Sequence, residues 1–193
     1  MRTLTLLGFG NSFTGGAVGG LLIVYAVRAL GLSSADGRLG LLFAAGALGS
    51  LLASLLLPQI TKHVPVGWIT LGAMMLNLLC LLGLVMISSL SVALVVYTCW
   101  ELCYTLTTTN GITLRQLVTP EHMLSRVNTF ARMIAWGGTP FGAALGGLVA
   151  ERTTIRMTYL LMAVGALLSV VVGWFSPLRE RTMAKELAQS AET

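Results

Sequence analysis

Charge is what this chain has least of. Lys, Arg, Asp and Glu make up 10% of its 193 residues, while 55% are hydrophobic and the mean hydropathy is +0.85. Soluble domains carry about 25% charged residues. A water-soluble core does not call for this much apolar sequence, whereas lipid as the solvent does. Cysteine is scarce too: Cys80, Cys99 and Cys103 all lie in apolar runs, and an odd, scattered set builds no disulfide framework. Cys99 and Cys103 flank Glu101 at i,i+4 spacing, but no His lies in that run. Packing of small buried thiols fits them better than a metal site. The only histidines, His63 and His122, fall between runs. There is no GxxxxGK[ST] phosphate loop, no GxSxG and no HExxH, so nothing builds the usual ATPase or pairs a nucleophile with its base. The chain is expected not to be an enzyme and to need no cofactor. Its net charge of +5 has no basic cluster interleaved with aromatics, which argues against nucleic acid as a partner.

Long uncharged runs are what the chain has instead. Between Arg2 and Arg28 lie 25 uncharged residues, and between Arg38 and Lys62 lie 23. Residues 64–114 hold 51 positions with one charge, Glu101. Since roughly 20 residues cross a bilayer, that run is two spans, with the Ser-rich ISSLS at 87–91 as the turn. The expected fold is an all-α membrane protein of six transmembrane helices, at 3–28, 39–61, 65–87, 91–113, 121–150 and 156–177. They form one domain, 1–178, followed by a polar cytoplasmic tail, 179–193. The first apolar run is too long for a signal peptide. Six spans put both termini on one side. That side takes Arg2, Lys62, Arg115, Arg126, Arg132, Arg179, Arg181 and Lys185; the other takes Arg28, Arg38, Arg152 and Arg156. The positive-inside rule then predicts cytoplasmic termini in a multi-pass protein of the plasma membrane.

Glycine is abundant, at 22 residues. The stretch 119–147, TPEHMLSRVNTFARMIAWGGTPFGAALGG, organises the rest. Thr119 reads as an N-cap, Pro120 sits where a missing N–H costs least, and Glu121 meets the positive end of the helix dipole. Arg126 and Arg132 keep the start near water. Beyond them Gly138, Gly142 and Gly146 recur every four residues, a face without side chains that another helix can approach closely. Gly137 and Gly138 beside Pro140 predict a kink that serves either as packing or as a hinge. There is also an internal echo: AAGALGSLLA at 44–53 resembles FGAALGGLVA at 141–150. These are the middle spans of the two triples, so the echo predicts two inverted three-helix repeats, a transporter pattern.

Glu101 is the most informative single residue. An ionisable group in mid-span faces a cavity, finds a partner or loses its charge, and burial disfavours its charged form. Tyr97, Glu101, Tyr104, Thr105 and Thr108 follow helical spacing along one stripe. The stripe predicts a cavity wall with Glu101 as proton-coupling site or substrate contact; a neutral, hydrogen-bonded carboxyl that packs helices fits the same residues. Asn11, Ser12 and Thr14 in the first span and Asn77 in the third either meet substrate or cross-link helices, with Asn11, in the glycine-rich span, the best substrate candidate. Trp174 is an interfacial candidate among Trp68, Trp100, Trp136 and Trp174.

These residues carry a family likeness. LRQLVTPEHMLSRVNTFARMIAWGGTPFGAALGGLVAE at 114–151 resembles a loop and eleventh helix of the major facilitator superfamily, in the branch similar to the enterobactin exporter and macrolide-efflux proteins. Residues 2–33 look like its seventh helix and 40–58 like its eighth. Ser125 replaces the family glycine before Arg126 and Val127, and PQITKHVPVG at 58–67 keeps a trace of a basic cytoplasmic loop. The resemblance implies the C-terminal six-helix half of a fold that holds substrate between two halves. It implies proton-coupled efflux, as an antiporter, of a small apolar, siderophore-like or drug-like molecule. The implied partners are the lipid bilayer, that substrate, protons, and a second six-helix half as a separate chain or a homodimer. The alternative is a non-transporting remnant or membrane assembly partner.

Overall fold

The structure of the chain, a computed structural model, describes residues 2–117 and 119–175. Among these every regular element is helical: α1 (Arg2–Gly20), α2 (Leu22–Arg28), α3 (Leu39–Ile60), α4 (Val66–Met86), α5 (Leu90–Leu117), α6 (Leu124–Arg152) and α7 (Ile155–Trp174), with a 3₁₀ turn at Glu121–Met123. Five are long and apolar enough to cross a membrane, and the bent pair α1–α2 makes a sixth. The tail at 179–193, with Arg179, Arg181 and Lys185, lies outside the described residues, as does the side chain of Glu121.

Two details differ from the expected pattern. The first span is not one rod: α1 and α2 meet at 47° around Leu21. Gly19 and Gly20 precede the bend, and glycine is the weakest helix former after proline. Thr119 does not cap the helix that follows it. Its hydroxyl donates to the Arg115 carbonyl at 2.6 Å, closing the end of α5. A 3₁₀ turn comes next, and α6 starts at Leu124 with no side-chain cap. A threonine beyond a helix end has two helices to serve, and here the preceding carbonyl takes it.

The helices pair by small residues. Ala131, Ala135, Gly138, Gly142, Gly146 and Ala150 are the buried face of α6, and they lie on α1, its most extensive contact. The place a Cβ would occupy on Gly142 is taken by the carbonyl oxygen of Phe13, and that on Gly16 by the carbonyl oxygen of Thr139. Backbone thus meets backbone, the close approach that holds helices together where lipid leaves little hydrophobic drive between them. On the other side of the bundle Ala45, Gly46, Gly49 and Ala53 form the buried face of α3, against α5. The echoed segments therefore do the same job: Ala45, Gly49 and Ala53 align with Gly142, Gly146 and Ala150.

The pairing follows an internal symmetry. Exchanging the first span with α5, α3 with α6 and α4 with α7 maps α1·α6 onto α5·α3 and α1·α7 onto α5·α4, and leaves α1·α5 and α4·α7 in place. Those six are the most extensive contacts in the bundle. Three spans reverse direction across the membrane, so the repeats are inverted. The fold is one of two inverted three-helix repeats, consistent with half of a major-facilitator bundle.

Polar side chains fasten the rest. Asn110 donates to the Val66 carbonyl and to Thr70 Oγ1, both at 2.8 Å, joining α5 to α4. Replacing Asn110 by alanine is expected to lower stability by about 1 kcal/mol, read as an earlier unfolding midpoint in detergent. Tyr25 stacks on Tyr159 with centroids 5.1 Å apart and donates to the Leu84 carbonyl at 2.9 Å. Arg28 Nη1 donates to the Ala150 carbonyl at 3.0 Å, where the negative end of the α6 dipole favours a cation. In the loop between α2 and α3, the Arg38 guanidinium grips both Asp36 oxygens and holds that carboxyl below its usual range. Large apolar side chains such as Phe130, Phe141, Leu148, Leu51 and Leu55 stay exposed. Water does not sustain such an apolar surface, whereas acyl chains are as apolar as the side chains themselves.

Candidate functional site

The polar stripe of α5 lies in the groove between α1 and α3. On the α3 side, Tyr97 donates through its hydroxyl to Glu101 Oε1 at 3.0 Å. The pair fits because α3 has no side chains there. A Cβ on Gly46 would stand 3.1 Å from the Tyr97 ring, and one on Gly49 would stand 2.9 Å from Glu101 Cβ. One turn further, Thr105 donates to Ser50 Oγ of α3 at 3.1 Å. On the α1 side, a side chain at Gly15 would run into the Tyr104 ring. Asn11 Nδ2 donates to Thr108 Oγ1 at 3.0 Å, and Thr108 donates back to the Tyr104 carbonyl at 2.9 Å.

Helical spacing stacks the rings of this stripe. Tyr97 and Trp100 lie 5.8 Å apart, Trp100 and Tyr104 5.4 Å, all within 10° of parallel. Trp100 is fully buried, with Asn77 donating to its carbonyl at 3.2 Å. Asn77 thus cross-links α4 to α5. Although α5 touches α1, α3, α4 and α6, Glu101, Tyr104, Thr105 and Thr108 remain half-exposed. The groove is open along one side, and a carboxyl there can meet a solute or a proton.

One cavity adjoins the stripe at Thr108, and a second lies across Asn11 from it. The larger, about 30 Å³, lies near the start of α1 and the end of α5, with Asn11, Ser12, Thr107, Thr108, Arg115 and Arg132 among its walls. The smaller, about 10 Å³, is bordered by Asn11, Thr14, Asn77 and Ser169. Asn11 borders both. Volumes of this order hold one to three waters.

The other candidate residues lie apart from this groove. Gly138, Gly142 and Gly146 face α1, while Gly137 faces open space and α6 continues unbroken through Pro140. The motif Thr119, Pro120 and Arg126 stands at the turn between α5 and α6, with Arg126 exposed. Trp68 and Trp174 meet edge to face, 6.3 Å apart, at the end of the bundle where α4 starts and α7 stops. Cys103 is buried with Ala53, Ala73 and Leu106, and the described residues contain no metal-binding group of three His, Cys, Asp or Glu. Ser50, Thr70 and Asn110 did not stand out in the sequence. Ser50 is the fourth residue after Gly46, and Asn110 continues α5 by nine residues from Glu101; helix-face projection across neighbouring spans is the signal that finds them.

The family model of the Major Facilitator Superfamily matches residues 4–192. No curated protein matches the chain.

Proposed function

The chain belongs to the major facilitator superfamily, a family of membrane transporters, and from that premise we propose that it is a half or subunit of a proton-coupled efflux transporter in the plasma membrane. Its cargo is a small, largely apolar, siderophore-like or drug-like molecule, as in the enterobactin-exporter and macrolide-efflux branch that residues 119–147 resemble. One observation carries the reading: Glu101, bonded to Tyr97, stands half-exposed in an open groove, with no other charge on α5 before Arg115. A carboxyl in that setting takes up and releases a proton at low cost compared with one sealed in lipid. The open side is where a second six-helix half, from another chain or a second copy, closes the cavity. Gly137, Gly138 and Pro140 supply the yielding segment as the halves rock.

The test is reconstitution of the assembled transporter in vesicles with an imposed pH gradient, probed with a macrolide, a catecholate siderophore and a lipophilic dye. Gradient-driven accumulation with matching proton flux is expected for at least one; uptake of all three that ignores the gradient overturns coupling. Orientation is tested separately. A cysteine placed at Lys62 is expected to react with an impermeant maleimide from the cytoplasm only, and one at Arg38 from outside only. The reverse pattern inverts the proposed topology.

A further inference from the structure

Arg115 plays no part in this transport reading, and its setting is costly. It lies in the last turns of α5 and is 5% exposed. Nε donates to the Gly111 carbonyl at 3.2 Å, while Nη1 is buried with no hydrogen-bond partner. A guanidinium keeps its charge and offers five donors, and a buried cation without an anion is strongly unfavourable. The described acidic side chains do not serve it. Asp36 and Glu151 lie at the opposite end of the bundle, and Glu101 is 14 residues back along α5, about 21 Å at 1.5 Å per residue.

Arg115 is also one wall of the larger cavity, and Arg132 of α6 is another. The Arg132 guanidinium lies over the Trp136 ring, 5.3 Å from its centroid, which holds it beside the opening. Asn11, Ser12, Thr107 and Thr108 also line the cavity; the Thr107 and Thr108 hydroxyls donate to the Cys103 and Tyr104 carbonyls, and Asn11 Nδ2 gives one N–H to Thr108 Oγ1. Two guanidinium groups, a spare Asn11 amide N–H and no described carboxylate make a cationic wall. The cavity, at about 30 Å³, takes two or three waters or one tetrahedral oxyanion in their place. It lies toward the end of α5 that the proposed topology puts at the membrane surface, within reach of lipid headgroups.

We propose that the cleft between α1, α5 and α6 binds a phosphate-type oxyanion on Arg115 and Arg132. Arginine forks match phosphate oxygens two at a time. The same chemistry has two sources: the headgroup of an anionic lipid in the adjoining leaflet, or a soluble phosphate. The site is independent of how transport is powered.

The full chain, purified in neutral detergent, tests this by its unfolding midpoint and by native mass spectrometry. Phosphatidylglycerol is compared with phosphatidylcholine, and inorganic phosphate with chloride at equal ionic strength. The wild-type chain is expected to be stabilised by phosphatidylglycerol or by inorganic phosphate, and to retain that species in the gas phase. A response to lipid alone assigns the headgroup; a response to inorganic phosphate assigns the soluble anion. Arg115→Gln is expected to abolish the response. Arg132→Gln, at an exposed position, is expected to fold normally and weaken it about tenfold or more, as loss of one charged hydrogen bond does. Lys62→Gln, also exposed, is expected to leave it unchanged. No response in the wild-type chain, or a response that Arg132→Gln leaves intact, overturns the proposal, and the Arg132→Gln result decides should Arg115→Gln fail to fold.

Discussion

Glu101→Gln is expected to abolish pH-driven efflux by the assembled transporter while the protein still folds and inserts. Glutamine has nearly the volume of glutamate, and its carbonyl oxygen still accepts the Tyr97 hydroxyl that now bonds Oε1 at 3.0 Å. The seat formed by Gly46 and Gly49 on α3 is therefore filled as before. What is lost is the proton: an amide neither binds nor releases one near neutral pH. Equal amounts of wild-type and variant protein in the membrane, with gradient-driven accumulation lost and downhill exchange retained, is the pattern that a coupling carboxyl predicts. A merely structural carboxyl predicts unchanged efflux across pH, and that outcome ends the coupling role. The pair of readouts matters because either one alone confuses a folding defect with a coupling defect.

The second large effect falls on α6. A Cβ at Gly142 would take the place of the Phe13 carbonyl oxygen and lie 2.8 Å from its carbonyl carbon and 3.1 Å from the Ala17 nitrogen. These are backbone atoms of α1, so no side chain can swing aside. Gly142→Ala is expected to force the two helices apart, at about 1–3 kcal/mol or more for overpacking of this kind. Gly147, five residues on, meets nothing within 4 Å. Gly147→Ala is expected to be neutral or to stabilise by up to about 1 kcal/mol, since alanine is the better helix former. Unfolding midpoints in matched detergent check both. Equal effects at the two positions would show that α1 does not approach α6 at the backbone level.

The helices themselves were legible because charge marks their ends. Arg28, Arg38, Lys62 and Arg152 stand at or beside the ends of helices α2, α3 and α6. The glycine period of 138, 142 and 146 named the tight face, since only a missing side chain lets backbone approach backbone. The break at Leu21 was not legible, because six glycines in that span signal packing and bending alike. Thr119 was misread for a related reason: a hydroxyl between two helices caps whichever orphan group the turn brings nearer. Arg115 was counted as a loop charge, since a cation near the end of an apolar run looks the same whether it faces water or a cavity. The stripe of α5 could be drawn from spacing alone, but its partners Ser50 and Asn11 lie 55 and 97 residues away. Nothing local encodes which neighbouring span will turn its small-residue side toward it.

The backbone-to-backbone seam between α1 and α6 also bears on how the protein is made. Its two sides are separated by more than a hundred residues. At about 5–20 residues per second of synthesis, the first span waits roughly 6–25 seconds in the membrane before the fifth exists to cover it. Through that interval its glycines present an uncovered contact face to any other helix inserting nearby. The α3–α5 seam closes sooner, so the growing chain holds together from the middle before the glycine face of its first span is covered. A helper that shields small-residue faces in the bilayer would find its client here, at the newest and least committed stage of the molecule.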